Sequence, residues 1–237
     1  MQTDNTYDSY LEWKKWGKIQ SGKTWQKQYF EKELDQADFA SLDTVLEVGF
    51  GNGEFMLWAR EKGIDVVGVE IIHELVARSK TQSFEAHLWN VAESDGNDSP
   101  LKGRKFDCII AFDVIEHLSI KQALNALTHF ANLLNPDGKI ILRFPNGESP
   151  FSMLIYNNDQ THRTLFTRRK LQHLCLGTGL EVERYANSAR VMNRNWLLPV
   201  KWLCFRIRDL CELVLGYVYY NHRVPLDQCA TAVLKLK

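Results

Sequence analysis

The chain carries no net charge: 29 Lys and Arg side chains balance 29 Asp and Glu over 237 residues. A neutral balance leaves no electrostatic footprint for a nucleic-acid backbone, so a nucleic-acid partner is not expected. The five cysteines, Cys108, Cys175, Cys204, Cys211 and Cys229, are odd in number and form no Cys-x-x-Cys pair. That excludes a disulfide framework and points to free thiols; with no histidine at ligand spacing, no metal site is expected. No basic-then-apolar leader follows Met1, and no apolar run is long and charge-free enough to cross a bilayer, so the chain reads as cytoplasmic.

Two nucleotide motifs are also missing. Gly22-Lys23-Thr24 lacks the upstream glycine and strand of a phosphate loop. Gly49-Phe50-Gly51-Asn52-Gly53 sets its glycines on alternate positions, which is not the Gly-x-Gly-x-x-Gly of dinucleotide sites, and a pyrophosphate would meet Glu54 there. An NAD-dependent oxidoreductase is therefore disfavoured.

What the chain does have is a 45% hydrophobic fraction, enough for one sizeable core, and a regular alternation of short apolar runs with helical patterns. Thr44 to Val48 reads as a buried strand, the glycines as a turn, and Glu54 to Arg60 as a helix whose unpaired N–H groups face a ligand. Ile64 to Glu70 reads as a second strand ending in a carboxylate. At that place, about 20 residues past a glycine turn, Glu70 can accept from two ribose hydroxyls, with Ile71 flanking the base. Phe84 to Trp89, Phe106 to Phe112 and Lys139 to Phe144 supply further strands, with Asn135-Pro136-Asp137-Gly138 as a turn before the last. This pattern predicts an α/β doubly wound, Rossmann-like sheet. Ahead of it, Trp25, Tyr29 and Phe30, with Tyr7, Tyr10, Trp13 and Trp16, sit in one or two helices. Packing on the domain is preferred for these rings over a ligand-facing lid.

Taken together, Leu46-Glu47-Val48-Gly49-Phe50-Gly51-Asn52-Gly53, Gly68-Val69-Glu70, Phe106-Asp107, Asp113-Val114-Ile115-Glu116-His117-Leu118, Leu134 to Lys139 and Phe144-Pro145-Asn146 resemble class I S-adenosylmethionine-dependent methyltransferases. The group resembled is the small-molecule, ubiquinone-biosynthesis-like one, and His162 to Thr167 and Gly179 to Val182 continue the likeness. The resemblance implies a seven-stranded, mostly parallel sheet whose antiparallel last strand falls at Ala230 to Lys235. It divides the chain into an N-terminal helical cap at 1–40 and a cofactor-binding domain at 41–237, with a helical insertion at about 192–222.

Carried over by position, the resemblance implies S-adenosylmethionine as cofactor, with Glu47, Gly49, Gly51, Asn52 and Gly53 at its methionyl end, Glu70 and Ile71 at its nucleoside end, and Asp113 nearby. The family has an aspartate after the third strand beside the adenine, whereas this chain has Asn90-Val91-Ala92-Glu93. The adenine contact is open between Asn90 and the backbone of Val91 and Ala92. Phe50 stands where a smaller residue is commoner, and Glu47 where aspartate is.

Methyl transfer from a sulfonium requires alignment and exclusion of water. A hydroxyl acceptor benefits from a base, which makes His117 and His162 the catalytic candidates, each with a packing role as its alternative. The expected function is O-methylation of a small-molecule, sugar or lipid-linked acceptor; a non-catalytic scaffold or partner-binding protein of the same fold is the alternative. Trp196 to Tyr220 is too apolar for a solvated loop and too charged for a membrane span. It is expected to cover the core or the site, with a homodimer face and peripheral membrane contact as the other readings.

Overall fold

The computed structural model describes residues 23–39, 42–191 and 197–237. Tyr7, Tyr10, Trp13, Trp16 and Trp196 lie outside them. The strands are β1 (Thr44–Val48), β2 (Asp65–Glu70), β3 (Glu85–Leu88), β4 (Phe106–Phe112), β5 (Leu134–Pro145), β6 (Leu180–Asn187) and β7 (Cys229–Leu236). Helices α1 (Thr24–Asp35), α2 (Glu54–Glu61), α3 (His73–Thr81), α4 (Ile120–Leu133), α5 (Met153–Asn157), α6 (Arg168–Cys175) and α7 (Leu198–Tyr220) precede or join them. Sheet order is β3-β2-β1-β4-β5-β7-β6, with β7 antiparallel to both of its neighbours. Chain order reverses between β1 and β4. In such sheets the crevice outside the strands' carboxyl ends at that reversal is where ligands bind.

The near-continuous apolar runs of β1 and β4 follow from burial on both faces. Leu46, Val48 and Ile109 pack into one core layer with α4, while Val45, Cys108 and Ile110 pack into the other with α1, α2 and α3. Phe50, bulky where the family is small, is accommodated from across the sheet. A Cβ added at Gly68 would lie 2.6 Å from Phe50 Cδ1 and 2.7 Å from Met56 Sδ, so the glycine in β2 makes room for both.

Asn135 to Gly138 lies inside β5 rather than ahead of it. Leu134 pairs with Phe106, yet Cys108 pairs with Lys139, so the ladder skips the Asn-Pro-Asp-Gly segment as an excursion between two bonded stretches. Asn135 Nδ2 holds that excursion to Asp107 Oδ1 at 2.7 Å.

Helix α7 departs from the expected core cover. Only Glu212 and Gly216 of its side are buried, while Trp202, Leu203, Ile207, Leu210, Leu213 and Val214 are exposed. Its polar residues face the protein: Asp209 and Glu212 pair with Arg190 at 2.5 and 3.8 Å, and Glu212 pairs with Arg223 at 2.6 Å. The amphipathic pattern read in the sequence is real but turned around. Among the described residues, no helix is long and apolar enough to cross a membrane.

Candidate active site

The glycine turn takes its shape from positive φ at Gly49 (68°), Gly51 (52°) and Gly53 (74°), a conformation that side chains with a Cβ resist. Gly53 caps α2, so the helix's free N–H groups open onto the turn. Two half-clefts meet here, sharing Gly49 and Asp113. One is lined by Glu70, Ile71, Trp89, Asn90, Val91 and Ala92, and extends to His117 and Leu118. The other is lined by Glu47, Gly51 and Asn52, and by an aromatic wall of Trp25, Tyr29, Phe30 and Phe112 with Arg143 at its edge. The N-terminal rings thus do both things at once: Tyr29 and Phe30 belong to the core and also face the cleft.

Glu70 is 6% exposed, and its carboxylate organises the turn. It accepts from Gly51 N at 3.0 Å on one oxygen, and from Ile71 N at 2.7 Å and Ile72 N at 3.3 Å on the other. Burial nevertheless holds its pKa above the ordinary carboxylate value, with those N–H groups opposing the shift. Glu47 is also 6% exposed and less well satisfied. Its Oε2 is buried without a hydrogen-bond partner, and desolvation, reinforced by the charges of Glu54 and Glu70, raises its pKa well above normal. Asn52 Oδ1 is a second buried, unpartnered oxygen in the same half-cleft. Two orphaned acceptors, one of them a carboxyl oxygen, suit a cation bearing N–H groups.

At the neck, Asp113 holds a φ of 56° and accepts from Arg143 Nε at 2.8 Å, with a second, shorter contact from the guanidinium. The guanidinium also lies 5.4 Å from the Tyr29 ring centre and 5.8 Å from that of Phe112. Asn90 Oδ1 accepts from Ala92 N at 3.2 Å, so this oxygen is already spent on the local turn.

His117 ends a short 3₁₀ turn, Ile115–His117, after β4, and His162 lies far along the chain, yet their ring centres are 4.8 Å apart. The 116 carbonyl draws the two segments together by accepting from Arg163 N at 2.8 Å and Thr164 N at 3.0 Å. The partners of the rings fix their tautomers. Thr161 Oγ1 gives its proton to the Asp159 carboxylate, so in its 2.8 Å contact with His117 Nδ1 it accepts. Tyr156 O can only accept from His162 Nδ1, at 2.8 Å. In the neutral form of each ring these contacts place the proton on Nδ1 and the lone pair on Nε2. Glu116, 1% exposed, completes the group, its Oε1 3.9 Å from His162 Nε2. Ligand-type atoms of all three lie within 4.8 Å of one another, a grouping invisible as spacing along the chain.

A family model for a methyltransferase domain matches residues 16–185. The chain belongs to the S-adenosylmethionine-dependent methyltransferases. Over 100 residues, 41% of its length, it is 26% identical to an uncharacterized methyltransferase of Alkaliphilus oremlandii, and that match spans 44% of the relative. The fold is similar to a SAM-dependent methyltransferase of Archaeoglobus fulgidus, with a TM-score of 0.61 at 18% identity over 97% of this chain and 99% of that one. It is also similar to the magnesium protoporphyrin IX methyltransferase of Synechocystis with bound SAH, with a TM-score of 0.59 at 12% identity over 98% and 96%.

The cleft suits that cofactor. S-adenosylmethionine carries an ammonium and a sulfonium, which match the orphaned oxygens of Glu47 and Asn52, and its ribose diol matches the carboxylate of Glu70. Of the residues read from the sequence, Glu47, Gly49, Gly51, Asn52, Glu70, Ile71, Asn90, Val91, Ala92, Asp113 and His117 line the two half-clefts. Gly53 shapes the turn from behind as the α2 cap, and His162 joins through His117. Arg143, Trp89 and Thr161 escaped the sequence reading. Arg143 is one residue of a long strand, and nothing in its neighbours marks it as facing the cleft.

Proposed function

We propose that the protein transfers the methyl group of S-adenosylmethionine to an oxygen of a small-molecule acceptor. The observation that supports this reading is the pair of histidines, His117 and His162, grouped with Glu116 beside the cofactor cleft. Of the common nucleophiles, a hydroxyl most needs help in shedding its proton near neutral pH, and a cluster of two imidazoles and a carboxylate is the kind of group that provides it. The bound cofactor supplies an electrophilic methyl on a positive sulfur. Glu70 holds the ribose; Glu47, Asn52, Gly49, Gly51 and Gly53 hold the methionyl end; Ile71, Asn90, Val91 and Ala92 border the adenine; and Asp113 keeps the neck in shape through Arg143. The wall of Trp25, Tyr29, Phe30 and Phe112 favours a ring-bearing acceptor and excludes water. Labelled methyl offered with phenols, sugars and hydroxylated lipids is expected in an ether product. Label on nitrogen or carbon would overturn the oxygen assignment, and cofactor binding without turnover across the panel would favour the scaffold reading.

Helix α7 bears on where the acceptor sits. Apolar side chains are exposed around most of its circumference, Trp202 lies near one end and Tyr217, Tyr219 and Tyr220 at the other, and exposed Arg206 is cationic. Both of its acids are turned inward and paired. This composition favours peripheral contact with an anionic lipid surface over a homodimer. Sedimentation with phosphatidylglycerol vesicles is expected, and Leu210→Glu with Val214→Glu should weaken it by about tenfold or more. A concentration-dependent dimer split by the same substitutions, with vesicle binding absent, would assign the helix to self-association instead.

A further inference from the structure

Resting on the acceptor role just proposed for this cluster, we propose that Glu116, His117 and His162 bind a divalent transition-metal ion that holds the acceptor oxygen. The donor set is two imidazoles and one carboxylate, gathered from the turn after β4 and from the loop that follows α5. Each Nδ1 is engaged by a partner of its own, that of His117 by the Thr161 hydroxyl and that of His162 by the Tyr156 carbonyl, which makes Nε2 the atom each ring offers to a metal. Hydrogen bonds of this kind orient metal-binding histidines and raise their basicity, and here both rings have one. The Thr161 contact is itself anchored on Asp159.

The distances suit such an ion. Metal–nitrogen and metal–oxygen bonds are about 2.0–2.2 Å, so donors around one ion stand roughly 3–3.5 Å apart. The separations, 3.9 Å for His162 Nε2 to Glu116 Oε1 and at most 4.8 Å across the group, close to that range by small side-chain rotations. Two nitrogens among three donors favour zinc, manganese, iron or cobalt over magnesium and calcium, which take oxygen ligands. Three protein ligands leave at least one position open, as sites that bind reactants require. That position adjoins the cofactor cleft, because His117 lines it.

The role that follows is Lewis-acid activation. An acceptor hydroxyl held at the open position gives its proton to solvent near neutral pH. Its oxygen then forms a bond to the methyl carbon as the carbon–sulfur bond breaks, and the electron pair of that bond stays on sulfur. The products are a neutral ether and a neutral thioether, so charge and atoms balance with no oxidant or reductant.

The test uses the full chain, treated with chelator and then titrated with Co²⁺ alone, followed by visible absorption. One ion per chain is expected. His162→Gln and His117→Gln should each weaken it by about tenfold or more, and Thr161→Val, which removes the hydroxyl that joins His117 Nδ1 to Asp159, by about tenfold. His173→Gln, exposed on α6, should leave it unchanged. S-adenosylhomocysteine affinity should stay within about twofold in His162→Gln and Thr161→Val, which also shows that these variants fold. Absence of Co²⁺ binding at high micromolar concentration, or binding indifferent to His162→Gln, overturns the site. Turnover that survives the chelator but is lost in His162→Gln also overturns it and returns the histidines to a base role, leaving the proposed function intact. Failure of the unmodified protein to bind S-adenosylhomocysteine would instead fault the reading of the cleft.

Discussion

Glu70→Ala is expected to weaken binding of S-adenosylhomocysteine by about 3 kcal/mol, roughly a hundredfold, because hydrogen bonds to a charged acceptor contribute about 1.5–3 kcal/mol each. Two effects combine in that number. The ribose loses its acceptor, and the turn loses the group that collects the N–H of Gly51, Ile71 and Ile72. Glu70→Gln separates them, since the amide keeps one carbonyl oxygen for the backbone while shedding the charge, and a loss nearer tenfold is expected. Calorimetric titration with S-adenosylhomocysteine measures both variants, and thermal unfolding without ligand reports how much of the effect is loss of the turn. Binding unchanged in Glu70→Ala would remove this carboxylate from the cofactor site. Burial raises the pKa of Glu70, so affinity in the unmodified protein should fall as pH drops into the carboxylate range, and Glu70→Gln should flatten that dependence.

The place of Glu70 on the cleft was legible in the sequence because it follows from local rules: an apolar run sets the strand, and the glycine turn sets the neighbouring strand's tip. The bounds of β1 and β4 were legible for the same reason, since strands buried on both faces are uninterrupted apolar runs. What escaped depends on meetings between distant segments. His117 and His162 each looked ambiguous alone; their shared geometry comes from the 116 carbonyl gathering the 163 and 164 amides. Arg143 is marked by its contact with Asp113 and by the rings of Tyr29 and Phe112, none of which neighbours it in sequence. Helix α7 shows a different limit. Periodicity reveals that a helix has two faces but not which one meets the protein, and here the inward face is the one with Asp209 and Glu212, which meet Arg190.

Glu47→Gln should separate stability from function. A carboxyl whose folded pKa is raised contributes stability fully below its unfolded pKa of about 4.3 and loses that contribution as pH rises through the folded value. Desolvation, with the charges of Glu54 and Glu70, raises Glu47 in this way, so the unliganded protein carries a growing penalty towards alkaline pH. A glutamine cannot ionise. The variant should therefore match the parent near pH 4 and exceed it at pH 8; a buried unsatisfied acceptor costs about 1–3 kcal/mol, and 1 kcal/mol in a chain of this size is about 2–4 °C in Tm. Cofactor affinity should move the other way, and by more for S-adenosylmethionine than for S-adenosylhomocysteine, since only the former brings a sulfonium next to the lost charge. Proton counting gives the sharper readout. If Glu47 is protonated in the free protein and ionised against the cofactor's positive groups, binding releases a proton, and the measured enthalpy must vary with the ionisation enthalpy of the buffer. Glu47→Gln should abolish that variation. An enthalpy independent of buffer in the unmodified protein, between pH 6 and 7, would mean that Glu47 keeps one protonation state throughout, and the raised pKa would then have no part in binding.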